Sequence, residues 1–280
     1  MRSSASPLLP PSSPSLDPGM TSAREFQAGD GSRRGVAVWL AGRIPHDGYT
    51  AMAERLAWEV SEPGGRPPTL VIYEPAAAIT IGRLGSRADV ALSDDELRRR
   101  ALDLRFVGRG GGAVLHGPGQ IGVALFTTLA DLGLGPHDLG GYLERFETGL
   151  EAAIRRLRCG TGRDSRSHGI FGRTGLLAAV GLAVRRGVAW HGGFVNVQCP
   201  LELQRRVHAV PVAVGAETTT MGSVEADVRR RVRLQDARAA LVEHLVDAFE
   251  FPRSHIQSGF PVPIRPAVGT APKERSRSAG

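Results

Sequence analysis

Lysine is nearly missing from this 280-residue chain: it occurs once, at Lys273 near the C-terminus, so arginine supplies almost all of the basic charge. No Gly-Lys-Ser/Thr triplet exists, which excludes a P-loop. Cysteine is almost as scarce. Cys159 and Cys199 are the 2 present, too few for a disulfide framework, so a reduced cytoplasmic protein with free thiols is expected. Aromatics make up 5%, so aliphatic side chains and alanine must fill the core. No apolar run approaches the ~18–20 residues of a membrane-spanning helix. The N-terminus lacks the positive-then-apolar order of a secretory signal. No membrane role is expected. The net charge of +7 comes without a nucleic-acid motif or an aromatic-interleaved basic stripe, so no nucleic-acid partner is expected either.

Glycine, by contrast, is plentiful, and it concentrates in one stretch. Gly108 to Phe126 reads GRGGGAVLHGPGQIGVALF. Such density marks backbone at φ > 0, or backbone that another group must approach closely. Gly108-x-Gly110-x-x-Ala113 loosely matches a dinucleotide fingerprint. That motif needs a helix next, and here Ala113-Val114-Leu115 reads as a strand with Pro118 soon after. Two readings remain. One is a Gly-rich hairpin between core strands. The other is a loop whose N–H groups line a ligand pocket, with Arg109 and His116 as polar partners.

Around this loop the chain alternates strands and helices. Residues 1–34 form a Ser/Pro-rich leader expected to be disordered, with Met1 or Met20 as the start. Gly35 to Ala41 is a strand. A helix follows Pro45, with Tyr49, Met52, Leu56 and Val60 on its inner face. Thr69 to Tyr73 and Ala78 to Ile81 are short strands. Ser93-Asp94-Asp95-Glu96 is a capping box. Ile121 to Leu129 is apolar enough for the interior of a sheet. Asp138 to Arg158 is the clearest helix. Gly169 to Arg185 reads as a hairpin turning at Arg173-Thr174-Gly175, followed by a strand over Val188 to Val197. Pro200 to Val207 holds a short helix, and Ala209 to Ser223 is irregular. A last amphipathic helix carries Leu234, Ala237, Leu241, Leu245 and Ala248, and ends at Pro252. Residues 252–280 read as a Pro-rich basic tail. The class is α/β or α+β, in one domain over 35–251.

The run Arg109 to Gln120, RGGGAVLHGPGQ, closely resembles the R-G-G-x-x-x-x-H-G-P-G-Q signature of the octanoyltransferases of lipoate biosynthesis (lipoate–protein ligase B type). Ala178 to Asn196, AAVGLAVRRGVAWHGGFVN, looks like that family's S-x-G…H-G-x-x-x-N segment, with Ala at the serine position. Glu74 to Arg83 resembles its E-x-x-x-x-x-T-x-G-R, although the family's His near Ala76 is absent. The resemblance spans roughly Gly35 to Phe251. It implies a biotin/lipoate protein ligase-like fold, a mixed β-sheet flanked by helices. It also implies transfer of an octanoyl chain from acyl carrier protein to a lysine of the lipoyl domains of 2-oxoacid dehydrogenase or glycine cleavage proteins. No cofactor and no metal are implied. The matching substrate-binding positions are Arg109, Gly110, Gly111, Gly112, Ala113, Val114, Leu115, His116, Ala179, Val180, Gly181, Gly192, Gly193 and Phe194.

The family's catalytic pair is not at its matching positions. Its lysine falls on Leu176, and its cysteine on Val210 or Val212. Three readings follow. Cys199, before Pro200 at a helix start, replaces the nucleophile. Alternatively, His116 or His191 acts as base in a direct aminolysis, with loop amides holding the oxyanion. Or the chain is a catalytically silent relative that binds an acyl chain, acyl carrier protein or lipoyl domain without turnover.

Overall fold

The computed structural model describes residues 34–164, 167–210 and 219–261. The leader, the two candidate starts, Val212 and the last 19 residues lie outside the described residues.

The chain opens with strand β1 (Val36–Ile44), helix α1 (His46–Ser61) and strand β2 (Thr69–Pro75). β1 and β2 are parallel, so α1 is the crossover between them. Next come β3 (Ala78–Ile81), α2 (Asp94–Arg99), β4 (Asp103–Phe106), β5 (Ala113–His116) and β6 (Gln120–Thr128). Helix α3 (Leu139–Arg156) leads into β7 (Gly162–Asp164), β8 (Ser167–Gly172), β9 (Gly175–Arg185) and β10 (Val188–Asn196). The remaining elements are α4 (Leu201–Gln204), β11 (His208–Val210), β12 (Thr219–Thr220), α5 (Val224–Val228), α6 (Leu234–Ala248) and β13 (Ser254–Ser258).

The main sheet runs β13-β1-β2-β6-β10-β9-β8-β7. β1 is parallel to both β2 and β13, and the other pairings are antiparallel. Successive side chains on a strand point to opposite faces, and the sheet buries both. Val36, Val38, Leu70 and Ile72 join the core under α3 and α6, where Tyr142, Phe146 and Phe249 interlock. Ala37, Trp39, Val71 and Tyr73 face the other way, against the Tyr49, Met52, Leu56 and Val60 stripe of α1. Each of these large side chains contributes ~1.5–3 kcal/mol on burial. β6 lies between β2 and β10 with helices over both faces, which explains its continuous apolar run although both of its pairings are antiparallel.

A second sheet, β4-β3-β5, stands beside the first. β4 is parallel to β3, and β5 is antiparallel to it. The glycine stretch is therefore not a hairpin: it carries the chain from one edge of this sheet to the other, past the end of β3. The expected capping box opens α2, with Glu96 N–H donating to Ser93 Oγ at 3.2 Å and Ser93 N–H to Glu96 Oε2 at 2.9 Å.

Two expectations need correction. The segment after Pro252 is not all tail, because β13 pairs in parallel register with β1 from Ser254 to Ser258. Its Ser-His-Ile-Gln-Ser sequence is too short and too polar to announce an edge strand. Within Ala209 to Ser223, expected to be irregular, β11 and β12 pair antiparallel; residues 211–218 lie outside the described residues. Among the described residues, no helix is long and apolar enough to cross a membrane.

Candidate active site

The glycine loop is clasped by backbone on two sides. On one side, the N–H groups of Gly82, Arg83 and Leu84 donate to the carbonyls of Gly112, Arg109 and Gly111 at 3.0, 3.0 and 3.2 Å. On the other, Gly110 N–H donates to Leu182 O at 3.0 Å. A Cβ on Gly82 would sit 2.4 Å from Gly111 O, and one on Gly181 would sit 2.5 Å from Gly110 O. Gly111 itself has φ +79. These glycines let three backbone segments touch. The expectation that their amides line the pocket is thus corrected for Gly110, whose N–H is spent on β9. The Gly-Pro-Gly turn serves packing as well: Val197 and Gln198 N–H both donate to Gly119 O at 3.0 Å, which pins the exit of β10.

What the loop delivers to the interior is Arg109, 4% exposed. Its guanidinium donates through Nη1 to Gly110 O (2.9 Å), and through Nη2 to Thr80 O (3.0 Å) and Thr80 Oγ1 (2.9 Å). From Thr80 a buried polar chain runs through His116 (2.7 Å), Gln120 (2.7 Å) and Asn196 (2.7 Å) to Gly222 O (3.0 Å). Its donor order follows from the ends. Gln120 Nε2 donates to Leu115 O (3.0 Å) and Asn196 Oδ1, so Gln120 Oε1 accepts from His116 Nδ1–H. His116 Nε2 then accepts the Thr80 hydroxyl proton.

His116 consequently has neither nitrogen free. Burial, reinforced by Arg109, pushes its pKa down to about 3. The proposed base role of His116 is corrected by this geometry: the ring is a neutral link that also packs on Phe194 at 4.3 Å.

A cavity of about 40 Å³ opens beside Arg109. Thr80, Arg109, His116, His191 and Phe194 line it, together with His46, Tyr49, Tyr73, Pro75 and Ala76. His191 sits on β10 with a left-handed backbone, φ +65. Such strain in a non-glycine residue persists where surrounding structure over-determines it, commonly at functional sites. Burial, then Arg109, His46 and Arg83, hold its pKa down at about 4. Tyr49 and Tyr73 stack at 4.9 Å, and burial raises both phenols above the usual range. Desolvation also lowers the Arg109 pKa to about 10.

The other expected positions fall elsewhere. Ala113 and Leu115 fill the small core under α2, and Val180 joins the main core. Val114 and Ala179 form an apolar cluster with Leu176, Ala209 and Met221. Leu176, at the family's lysine position, is 1% exposed. Val210 is buried on β11. Gly192 and Gly193 admit close neighbours, Val123 O and Ala179 O.

Cys199 lies away from the cavity, beside Gln198, Pro200 and Leu201 in an open depression. Its Sγ–H donates to Pro118 O at 3.7 Å. Burial pushes the thiol up to about 12, and the expected thiolate is corrected on that ground: α4 is a 4-residue helix, too short for its N-terminus to outweigh desolvation. Native Cys199 should react with a thiol-specific disulfide reagent about 100-fold or more slowly than in the urea-unfolded chain; equal rates would contradict the burial.

The two depressed imidazoles also set a stability profile. Unfolded histidine takes up a proton near pH 6.5, whereas native His191 and His116 resist until about 4 and about 3. The unfolded state therefore binds more protons across that window, and stability rises with pH through it. Their contribution is complete above about 6.5 and is lost as pH falls from there toward 4 and 3, amounting to several kcal/mol. Urea midpoints should fall between pH 6.5 and 4.5, and His116→Gln should flatten that slope.

Sequence reasoning missed His46, Tyr49 and Tyr73 as cavity residues. Tyr49 reads correctly as core from helical spacing, and nothing in that spacing shows its hydroxyl facing a site. A contact between the first turn of α1 and the left-handed residue of β10, Tyr49 to His191 at 6.0 Å, has no local signal.

The fold and the loop match a known family. A family model described as the lipoyl protein ligase A/B catalytic domain covers residues 49–246, and the chain belongs to that family. Among its relatives, an octanoyltransferase of Geotalea uraniireducens (strain Rf4) is 31% identical over 211 residues, 74% of this chain and 92% of that protein. An octanoyltransferase of Geobacter sulfurreducens is 32% identical over 191 residues, 68% of this chain and 75% of that one. Among solved structures, a bipartite lipoate protein ligase of Thermoplasma acidophilum, described with its E2 lipoyl domain, superposes with TM-score 0.61 at 15% identity over 79% of this chain and 86% of that chain. Lipoate-protein ligase A bound with ATP gives 0.60 at 18% identity over 79% and 89%. At such identities these two speak for the fold alone.

Proposed function

We propose that this protein is an octanoyltransferase that moves an octanoyl group from an acyl carrier protein thioester to the lysine amine of a lipoyl domain. The observation that carries the reading is the likeness to an octanoyltransferase over 92% of that relative's length. The two segments with the strongest motif likeness, Arg109 to Gln120 and Ala178 to Asn196, also send Arg109, His116, His191 and Phe194 to one cavity. Two unpaired cysteines suit a reducing compartment, so we place the reaction in the cytoplasm.

The chain's own residues favour transfer in one step, without an acyl-enzyme. The lysine amine attacks the thioester carbonyl, a C–N bond forms, the C–S bond breaks, and the sulfur leaves with a proton. Holding amine and thioester together supplies ~7 kcal/mol or more. Arg109 offers positive charge to the developing oxyanion. His191 lines the same cavity with a ring that is uncharged at neutral pH; with its pKa held down at about 4 it is a weak base, and the departing sulfur takes the proton that the amine sheds. Phe194, Ala76 and Ile44 give the cavity an apolar wall.

The test mixes purified protein, octanoyl-acyl carrier protein and a lipoyl domain, and weighs each species by intact mass spectrometry. The expected product is a lipoyl domain heavier by one octanoyl group. A stable complex without mass change would replace the enzyme by a silent binder.

A further inference from the structure

The Arg109 guanidinium donates to neutral oxygens: Gly110 O at 2.9 Å, Thr80 O at 3.0 Å and Thr80 Oγ1 at 2.9 Å. Among the described residues, no Asp or Glu lines its cavity. Buried charges are ordinarily paired, yet a carboxylate here would cancel the charge that a developing oxyanion needs. Neutral acceptors hold the group and leave its charge in force. Two of the three hydrogen bonds end on one residue, Thr80.

Thr80 sits on β3, the middle strand of its sheet, opposite Arg105 of β4 and Val114 of β5. Strand alternation sends Ile79 and Ile81 into the small core under α2 and turns Ala78 and Thr80 to the cavity. The Thr80 hydroxyl carries one proton and two lone pairs. His116 Nδ1–H is committed to Gln120 Oε1, so His116 Nε2 takes the Thr80 proton, at 2.7 Å. The lone pairs are left for Arg109 Nη2. This order is set from the far end, where Gln120 Nε2 donates to Leu115 O and Asn196 Oδ1, and Asn196 Nδ2 donates to Gly222 O. His116, a link and not a base, thereby keeps the Thr80 oxygen turned as an acceptor toward the cation.

We propose that Thr80 is a positioning residue for the transfer: its hydroxyl, oriented by His116, fixes the angle at which the Arg109 guanidinium meets the reacting carbonyl. Thr80 touches no reacting atom and acts through Arg109. The inference rests on the reading that the oxyanion develops beside Arg109. Thr80→Val keeps the side-chain shape and the backbone carbonyl and removes the hydroxyl. The guanidinium then has one tether fewer, and a misplacement of about 1 Å can cost about 10²-fold in rate.

The test uses the full chain with octanoyl-acyl carrier protein and a lipoyl domain. Thr80→Val should lower kcat about tenfold or more and leave KM for the thioester within about twofold. Thr80→Ser restores the hydroxyl and should recover most of the loss. In an Arg109→Met background, Thr80→Val should change kcat by less than about twofold, because nothing is left to position. A second readout is independent of turnover: the Arg109 Nε–H signal in nitrogen-15 NMR, assigned by its loss in Arg109→Met. It should be sharp in the wild type and in Thr80→Ser, and broadened or shifted in Thr80→Val. Thr80→Ala serves in both measurements if Thr80→Val does not fold. A kcat near the wild-type value without the hydroxyl, an equal loss in both backgrounds, or an Arg109 signal indifferent to Thr80 overturns the positioning. Absence of transfer in the wild type, with an Arg109 signal that depends on Thr80, removes the transferase reading and keeps Thr80 as the holder of the guanidinium. Transfer that ignores Thr80 removes the positioning alone.

Discussion

Gly192→Ala should lower stability by about 3 kcal/mol or more, because the added carbon has nowhere to go. A Cβ at Gly192 would lie 2.0 Å from Val123 O and 3.0 Å from Ala124 Cα. Both atoms belong to β6, paired with β10 at this register and held on its far side by β2. Neither a rotamer nor a loop can yield, so the two strands must part. For a domain of this size the loss corresponds to a fall of roughly 6–12 °C in Tm. Gly160→Ala is the control: nothing lies within 4 Å of its Cβ, and it should stay within about 0.5 kcal/mol. Thermal unfolding of both variants checks the contrast, and equal midpoints would contradict the packing of β10 on β6.

Arg109→Met should cut octanoyl transfer by about 10²–10³-fold, the usual effect of removing a group that stabilises a developing oxyanion. The fold should survive at a cost of about 1–3 kcal/mol, since Gly110 O and Thr80 O lose a donor in a buried setting. Arg109→Lys should not restore the rate. A single ammonium cannot span Gly110 O, Thr80 O and Thr80 Oγ1 as the planar guanidinium does. Steady-state kinetics at saturating lipoyl domain reads the effect on kcat. A variant with near-normal kcat would move Arg109 out of the reaction and leave it as the anchor of its loop.

Much of the fold was legible because the pattern was local. The α1 stripe, the helix α3, the Ser93 capping box and the β8–β9 hairpin follow from spacing and turn chemistry, and each forms as expected. β13 was not legible. Five mixed residues become a strand only because β1 offers an open edge beside them. The glycine loop shows the same limit. Its density announces close approach, yet sequence cannot say whether a ligand or another backbone approaches, and here Gly82 and Gly181 do. Arg109, His191 and Phe194 were named from motif likeness, and the structure brings them to one cavity. His116 was named on the same basis, but a histidine's availability depends on who holds its nitrogens, and Thr80 and Gln120 hold both. Cys199 looked reactive from the proline after it; its burial and its distance from the cavity are tertiary facts.

The central claim is that octanoyl transfer in this chain needs no thiol and runs beside Arg109 and His191. A protein carrying Cys159→Ser and Cys199→Ser, mixed with octanoyl-acyl carrier protein and a lipoyl domain and quenched in acid at successive times, tests it most directly by intact mass. The account predicts that octanoylated lipoyl domain accumulates at the wild-type rate, with no acyl adduct on the protein at any time. Loss of transfer in the cysteine-free protein, or an octanoyl adduct on a cysteine of the wild type that decays as product forms, would contradict it.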